Sequence, residues 1–163
     1  MTDLFNKSGE MTKRISGIAH MGDVPRMDAG DSGGFKKVGT FSGSDGSSTS
    51  VLLEVADTED SRRKGLMGRK TLTDISGMLF EGLSGNGNFW MRGCLIPLDV
   101  AFMSGKGVVT KIYSMPVDKE GTELYEYEDG DKTAVEMPFG FFKRNGIKVG
   151  HMFKARKLSG RRA

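Results

Sequence analysis

The sequence predicts a mainly β domain at residues 51–153, with an extended arm at 1–50 before it and a basic tail at 154–163 after it. Short apolar runs of strand character recur through 51–153, and Gly-rich turn signals separate them. Only two short segments carry helix start and stop signals, and residues 1–50 show no sustained apolar period of 2 or 3.6. Many short strands joined by turns are typical of a β-sandwich or barrel-like domain.

Eight strands are predicted, and two hairpins join some of them. The turn Ser104-Gly105-Lys106-Gly107 is expected to connect strands at 98–103 and 108–114. An acidic turn at 128–131 is expected to connect strands at 122–127 and 132–137 in the same way. The other strands are expected at 51–55, 78–80, 88–91 and 151–156.

Two short helices are predicted from the residues at their ends. The first, of about two turns, follows a capping Asp57 or Thr58, has acidic residues first and basic residues last, and ends at Gly65. The second has Pro138 at its first position and Gly146 just after its end.

Residues 1–50 are predicted to be an extended arm rich in Gly and Ser. Such a segment cannot bury enough apolar surface to offset the entropy of ordering it. We therefore expect neighbouring subunits of an assembly to hold the arm through scattered apolar side chains. These partner-docking candidates are Ile15, Ile18, Val24, Phe35 and Phe41, with Val38 beside them.

The net charge of +3 is concentrated at the C-terminus. The last ten residues hold five basic and no acidic side chains, whereas 1–50 is neutral and 51–153 is slightly acidic. A short basic tail can contact nucleic acid or an acidic partner, but a solvated terminus is the simpler interpretation.

Nothing in the sequence predicts export or membrane insertion. No stretch approaches the ~20 apolar residues of a membrane-spanning helix, and the N-terminus lacks the apolar core of a signal peptide. We expect cytoplasmic synthesis without export and no membrane partner. The single cysteine, Cys94, cannot form an internal disulfide; it suits a buried apolar position or a pairing with another chain.

Six motifs follow one another along the predicted β domain. They are Gly65-Leu66-Met67-Gly68-Arg69, Gly77-Met78-Leu79-Phe80, Phe89-Trp90-Met91, Ile96-Pro97-Leu98-Asp99-Val100-Ala101-Phe102, Val135-Glu136-Met137 and Gly146-Ile147-Lys148-Val149-Gly150. In this order and spacing they closely resemble the DUF192 family of uncharacterised bacterial, archaeal and phage proteins. The resemblance covers roughly residues 51–153 and implies a jelly-roll-like β-sandwich, but no established reaction.

The chain departs from the usual family pattern in three ways. Many relatives carry an export signal where this chain has the Gly/Ser arm. Arg92-Gly93-Cys94 stands where relatives often have Lys-Asn-Thr, and the acidic loop 115–131 lacks the cysteines of some relatives. These departures disfavour a solute-facing role of the kind typical of exported relatives.

Arg69, Asp99, Glu136 and Trp90 are the candidate site residues. A half-buried guanidinium needs an acceptor and suits a carboxylate, so we predict that Arg69 pairs with Asp99 or Glu136. A structural salt bridge is the main interpretation, and an anion- or sugar-binding site is the alternative. Trp90 is the only tryptophan. In an alternating strand Phe89 and Met91 share one face and Trp90 takes the other. Core packing of one face is the main interpretation, and the other face is a candidate exposed surface for a ligand or a partner.

The sequence offers no recognisable catalytic or metal-binding arrangement. Cys94 has no histidine nearby in sequence, no Gly-x-Ser-x-Gly turn is present, and the Gly-rich stretches lack phosphate-loop spacing. The two histidines, His20 and His151, are far apart and have no cysteine or histidine at zinc-ligand spacing. We therefore expect no enzymatic activity, no metal and no cofactor.

Two functional hypotheses follow. The first is a non-enzymatic structural module of a larger assembly, most plausibly a phage virion component of the tail, baseplate or head decoration, whose arm docks onto neighbouring subunits. The second is a domain that binds a small ligand, for instance a carbohydrate, through Trp90, Arg69 and the loop 81–88.

Overall fold

The computed structural model describes residues 34–158, and over these residues the chain forms nine strands and two short helices. In chain order they are β1 (Lys37–Ser42), β2 (Ser48–Ala56), α1 (Glu59–Lys64), β3 (Ser76–Glu81), β4 (Gly87–Phe89), β5 (Leu98–Ser104), β6 (Val109–Met115), β7 (Tyr125–Tyr127), β8 (Asp131–Pro138), α2 (Phe141–Arg144) and β9 (Met152–Lys157). The predicted class, mainly β with two short helices, is confirmed.

Seven strands form one curled sheet in the order β6-β5-β8-β3-β2-β1-β9, and β4 pairs with β7 in a separate ribbon. The two edges of the sheet meet at one end, where Val108 bridges Met152. There the Val109 N–H donates to the His151 carbonyl at 2.8 Å, and the Gly150 N–H donates to the Val109 carbonyl at 2.8 Å. A jelly roll consists of antiparallel strands in two sheets, so the jelly-roll-like sandwich implied by the resemblance is not confirmed.

The connection from β2 to β3 is the one parallel crossover among the described strands, and it carries α1. Thr58 caps the helix in a capping box with Ser61, and Gly65 ends it at φ 48°. Both ends therefore lie where the sequence predicted them. The crossover places the basic last turn of α1 over the outer face of the sheet.

Two apolar clusters pack on the two faces of the sheet. The first, here called the inner core, contains side chains from both edge strands, Val109 of β6 and Phe153 of β9, and is therefore enclosed by the curl. Helix α2 closes one end of it with Phe141 and Phe142. The second, the outer core, lies on the convex face. It is built mainly on Phe80 and Phe102, with the ribbon and the α1 crossover packed over them.

The domain begins earlier than the sequence predicted. Strand β1 pairs with β2 on one side and β9 on the other, and Val38 and Phe41 are buried. Gly39 concealed this strand in the sequence. A Cβ there would lie 2.7 Å from the side chains of Leu53 and Phe153, so the glycine leaves room for both. The prediction of an arm that extends to residue 50 is therefore wrong for residues 37–50.

The docking role predicted for Phe41 is wrong as well. Its ring packs within this chain, 4.7 Å from the ring centre of Phe153 and 5.5 Å from that of Phe142. Phe35 is half-buried beside the start of β1. The other anchors, Ile15, Ile18 and Val24, lie outside the described residues.

The second predicted hairpin is replaced by a different pairing. Strand β7 starts only at Tyr125 and pairs with β4, whereas β8 pairs with β3 and β5. The preceding residues form a loop because the Asp118 carboxylate accepts backbone N–H groups from Glu120 through Glu123. The hairpin of β5 and β6 around residues 104–107 is confirmed.

The C-terminal elements also differ in detail from the prediction. Pro138 ends β8 instead of starting α2, which follows Gly140 at φ 78°. Strand β9 confirms the predicted strand at 151–156 and extends to Lys157, so Lys154, Arg156 and Lys157 lie on an exposed edge strand and not in a tail. The remaining two bases of the predicted tail, Arg161 and Arg162, lie outside the described residues. None of the helices within residues 34–158 is long and apolar enough to cross a membrane.

Candidate functional site

A cavity of about 370 Å³ lies on the convex face of the sheet, between α1 and the β4–β7 ribbon. Its floor is the sheet, one wall is the last turn of α1 with the residues after it, and the other wall is the ribbon. The lining side chains used below are Glu59, Arg62, Arg63, Lys64, Leu66, Met67, Phe80, Leu83, Phe89, Trp90, Cys94, Tyr127 and Glu136.

Glu136 is the polar group at the floor of this cavity. It lies in the middle of β8, between Met78 of β3 and Val100 of β5, and only 5 % of the residue is exposed. Its Oε2 has no hydrogen-bond partner within residues 34–158. Burial raises its pKa to about 8, because the carboxylate loses its hydration without gaining a cation. Near neutral pH the group is therefore mainly a carboxylic acid and can donate a hydrogen bond.

Cys94 lines the cavity close to Glu136. It is buried, and burial raises the pKa of the thiol to about 11, with a further contribution from the Glu136 charge. A cysteine nucleophile needs a lowered thiol pKa, so this environment opposes that role and suits a packing role. The burial also agrees with the expectation that Cys94 occupies an apolar position.

The mouth of the cavity is basic on the side of α1. Arg62 donates to the backbone carbonyls of Asp57 and Glu81, and Arg63 pairs with Glu59 at 3.1 Å. Lys64 follows them at the end of the helix and is exposed. The helix sequence explains this grouping, because basic residues in a last turn complement the negative end of the helix dipole.

The ribbon supplies an aromatic wall. The Phe89 ring lies between Phe80 and Phe102, with ring centres 4.8 and 5.1 Å away. Trp90 is 43 % exposed, with the Arg92 guanidinium 5.9 Å above its ring. Strand β4 ends at Phe89, so the predicted strand at 88–91 does not extend over Trp90 and Met91, of which Met91 is fully buried.

Arg69 does not take part in this site. Its guanidinium donates to Glu54 Oε2 at 2.6 Å, so the predicted pairing with Asp99 or Glu136 is wrong. The hydrogen bond to Glu54 raises the pKa of Arg69. Glu54 of β2 lies in the same cross-strand row as Met78 and Glu136, and strand β3 separates it from Glu136. Arg69 follows α1 in the crossover, and of the carboxylates of Glu54 and Glu136 it pairs with that of Glu54.

Asp99 lies on the opposite face of the sheet from Glu136. In β5 it is aligned with Met137 of β8 and Ser114 of β6, and it is 1 % exposed. Its Oδ1 has no hydrogen-bond partner among the described residues. Asp99 borders a second cavity of about 280 Å³, beside α2, together with Lys143 and Lys148.

The structure thus brings together two of the four candidate residues. Glu136 and Trp90 line one cavity, whereas Arg69 and Asp99 lie elsewhere. Successive side chains of a strand point to opposite faces of the sheet, so the sequence Val135-Glu136-Met137 indicates that Glu136 faces away from its two neighbours. The sequence identifies the basic residues of the last turn of α1 only as the end of a helix, because their position at the cavity mouth depends on the tertiary fold.

The described residues hold no group of three or more His, Cys, Asp or Glu side chains arranged to bind a metal ion. The acidic side chains of the loops instead accept hydrogen bonds from nearby backbone groups. Asp129, for example, accepts the Gly85 N–H.

Comparisons with known proteins support this fold. The chain is similar to a "putative transcription regulator" from Sinorhizobium meliloti 1021, known from a crystal structure. The two sequences are 23% identical and the structures superpose with a TM-score of 0.69, over 74% of this chain and 93% of that chain. A protein of unknown function from Novosphingobium aromaticivorans DSM 12444 is 29% identical with a TM-score of 0.65, over 72% of this chain and 83% of that chain. No curated protein matches the chain.

The family model of DUF192, described as an uncharacterized ACR, matches residues 41–155. The match begins at Phe41, near the end of β1, and ends at Ala155 within β9. It covers well over half of the chain, and the protein belongs to the DUF192 family.

Proposed function

We propose that this domain binds a small organic molecule in the cavity between α1 and the β4–β7 ribbon. The observation that carries the proposal is the Glu136 carboxyl at the floor, buried and without a partner for Oε2. Buried polar groups in folded proteins are nearly always hydrogen-bonded, and an unpaired one costs about 1–3 kcal/mol. A ligand that supplies the missing partner recovers part of this energy.

The shape and lining of the cavity support the same proposal. Ligand sites are typically concave and mostly apolar, with a few convergent polar groups. Here Leu66, Phe80, Leu83 and Phe89 supply the apolar surface. The volume of about 370 Å³ lies within the usual range of about 300–1,000 Å³ for small-molecule sites.

We propose binding without catalysis. The only thiol in the cavity, Cys94, has its pKa raised to about 11 and is therefore almost entirely protonated near neutral pH. Glu136 makes no hydrogen bond with another titratable side chain within the described residues. A nucleophile with its base in hydrogen-bond contact, the usual sign of covalent catalysis, is not found among the groups of this cavity.

A fragment screen by saturation-transfer NMR tests the proposal on the full chain. The screen includes carboxylates, amines, amides and simple sugars. Met67→Trp places a large ring in the cavity, and Met152→Trp makes the same exchange at an exposed position on β9. We expect fragments that bind the natural chain to lose saturation transfer with Met67→Trp and to keep it with Met152→Trp.

Two results would refute ligand binding in this cavity. One is a screen without any binding fragment. The other is a set of fragments that binds Met67→Trp as well as it binds the natural chain. An unfolding temperature close to that of the natural chain verifies that each variant is folded.

The assembly role remains a separate proposal. In this role the chain is a virion component whose N-terminal segment docks onto neighbouring subunits. The proposal depends mainly on residues outside the described range. Supporting it, the exposed edge strand β9 carries Lys154, Arg156 and Lys157, which suit an acidic partner surface. Deletion of residues 1–33 tests this role without removing β1. Normal incorporation of the truncated chain into its assembly would contradict it.

A further inference from the structure

The charge around the cavity favours one class of ligand. Three consecutive bases, Arg62, Arg63 and Lys64, line the mouth, against one acid at the mouth, Glu59. The Arg63–Glu59 pair is exposed, with side-chain exposures of 68% and 81%, so it neutralises little of the local field. The partners of Arg62 are carbonyl oxygens, which leave its positive charge uncompensated.

Lys64 is the base that remains available to a ligand. Within residues 34–158 its side chain makes no ion pair, in contrast to Lys37 and Lys111, which hold Glu81 and Glu128. Its position at the end of α1 sets the ammonium at the cavity mouth. An anionic group bound there gains a charge-assisted hydrogen bond at little cost in desolvation.

The floor adds a donor and no compensating negative charge. Glu136 is surrounded by Met78, Val100 and Cys94, with no basic side chain in hydrogen-bond contact among the described residues. A carboxyl in such surroundings keeps its proton and offers an O–H to a ligand oxygen. Between floor and mouth the walls are apolar and aromatic, which suits an alkyl or aryl body better than a ring covered with hydroxyl groups.

Resting on the proposed ligand-binding role, we propose that the cavity selects an organic anion with an apolar body. The anionic group lies against Lys64 and Arg63 at the mouth. The body packs between Leu66 and Phe89, and a ligand oxygen, where the molecule carries one at its inner end, accepts the Glu136 O–H. Monocarboxylates with an aryl or alkyl chain have this chemistry.

Three probes of one shape test the charge preference. They are 4-phenylbutanoate, 4-phenylbutanamide and 4-phenylbutylamine, titrated into the full chain and followed by the fluorescence of Trp90, the only tryptophan. Trp90 lines the cavity and is partly exposed, so its emission responds to a bound aromatic group. We expect the carboxylate to bind at least about tenfold more tightly than the amide or the amine, the equivalent of about 1.4 kcal/mol.

A pair of charge variants locates the anion. Lys64→Gln is expected to weaken binding of 4-phenylbutanoate about three- to tenfold and to leave the amide unchanged. Lys70→Gln is the matched control, because Lys70 is exposed and does not line the cavity. Its affinities for all three probes are expected to equal those of the natural chain.

The outcomes separate the ligand class from the binding role. Preference for the amine, equal binding of the three probes, or an equal loss with Lys64→Gln and Lys70→Gln would overturn the anion class and leave the cavity a binding site. Sugars that bind in the fragment screen while all three probes fail would do the same. Failure of both the probes and the whole screen would overturn the proposed function itself.

Discussion

At the scale of single residues, Glu136 links the cavity to the stability of the domain, because its carboxyl is buried and its Oε2 has no partner among the described residues. A buried carboxyl without a partner is far more costly for folding when it is ionised than when it is protonated. Its position in the middle of a central strand leaves only 5 % of the residue exposed, at the floor of the cavity. A position of this kind, if it were purely structural, would be filled better by an apolar side chain.

The stability of the domain should therefore depend on pH through Glu136. Its pKa rises from 4.5 to about 8 on folding, so the folded state binds more protons than the unfolded state between these values. Stability consequently falls as pH rises from about 4.5 to 8, by on the order of 5 kcal/mol, and then levels off. Glu136→Gln removes this group, and urea unfolding at about pH 5 and pH 8 should show a much smaller difference for the variant. Identical pH dependence of both chains would exclude this explanation.

The Arg69–Glu54 pair is a second prediction at this scale. Glu54 is largely buried and Arg69 is partly exposed, with side-chain exposures of 17% and 40%. Solvent screening limits such a pair to about 1 kcal/mol. A double-mutant cycle with Arg69→Met and Glu54→Gln, measured by urea unfolding, should give a coupling near this value. Neither variant should change binding of 4-phenylbutanoate, because neither residue lines the cavity. Zero coupling would contradict the observed pairing.

At the scale of elements, the close approach of β3 to β8 explains a motif glycine. A Cβ on Gly77 would lie 2.0 Å from the Glu136 carbonyl oxygen and 2.5 Å from Met137 Sδ. Both strands are central, so neither can move without disturbing the pairs beyond it. The glycine thus fixes the position of Glu136 as well as the sheet.

Gly77→Ala should consequently destabilise the domain by about 2 kcal/mol or more, because the added methyl group meets backbone atoms that cannot give way. Gly130→Ala is the matched control, since nothing lies within 4 Å of a Cβ there. Its effect should stay within about 0.5 kcal/mol, as for ordinary surface substitutions. Chemical denaturation of both variants gives the comparison. Equal, small effects would show that β3 and β8 are not as close as described.

The sequence predicted elements well where local chemistry decides them. The ends of α1 depend on Thr58 and Gly65, and the hairpin of β5 and β6 depends on a four-residue turn, so both could be read locally. Strand β1 could not be predicted locally, because Gly39 interrupts its apolar pattern. The missing side chain leaves room for Leu53 and Phe153. The late start of β7 depends on Asp118, whose carboxylate accepts the N–H groups of Thr122 and Glu123 and so holds the first residues of the predicted strand in a loop.

The site was predictable only in part, for a related reason. The sequence indicates Glu136 only as a possible acceptor for Arg69 and Trp90 as the single tryptophan, and both line the cavity. The other residues that line the cavity could not be predicted, because α1 and the β4–β7 ribbon are far apart in sequence. Arg69 was given the wrong acceptor for the same reason, since Glu54 comes near it only through the parallel crossover from β2 to β3.

At the scale of the whole molecule, the curled sheet is a single cooperative unit from β1 to β9. Strand β1 bonds to both β2 and β9, and β9 closes the sheet against β6. Removal of β1 would leave β9 without its partner strand and would expose the inner core around Phe41. The boundary of the folded unit therefore lies before Lys37 and not at residue 50.

Two truncations test this boundary. A chain that starts at residue 34 should unfold cooperatively, with a midpoint close to that of the full chain. A chain that starts at residue 46 lacks β1 and should be unfolded or aggregated, since it loses a central pairing and the buried Phe41. Circular dichroism with thermal unfolding distinguishes the two. A stable fold in the shorter chain would contradict the topology.

The central claim is a ligand site in the cavity that has Glu136 at its floor. Chemical-shift mapping of the ¹⁵N-labelled full chain with 4-phenylbutanoate tests this claim most directly. We expect the largest shifts on Gly65, Cys94, the Trp90 indole and Glu136, and we expect Met67→Trp, which places a large ring in the cavity, to remove them. Shifts that cluster elsewhere, for instance around Lys143 and Lys148 beside α2, or no shifts at all, would contradict it.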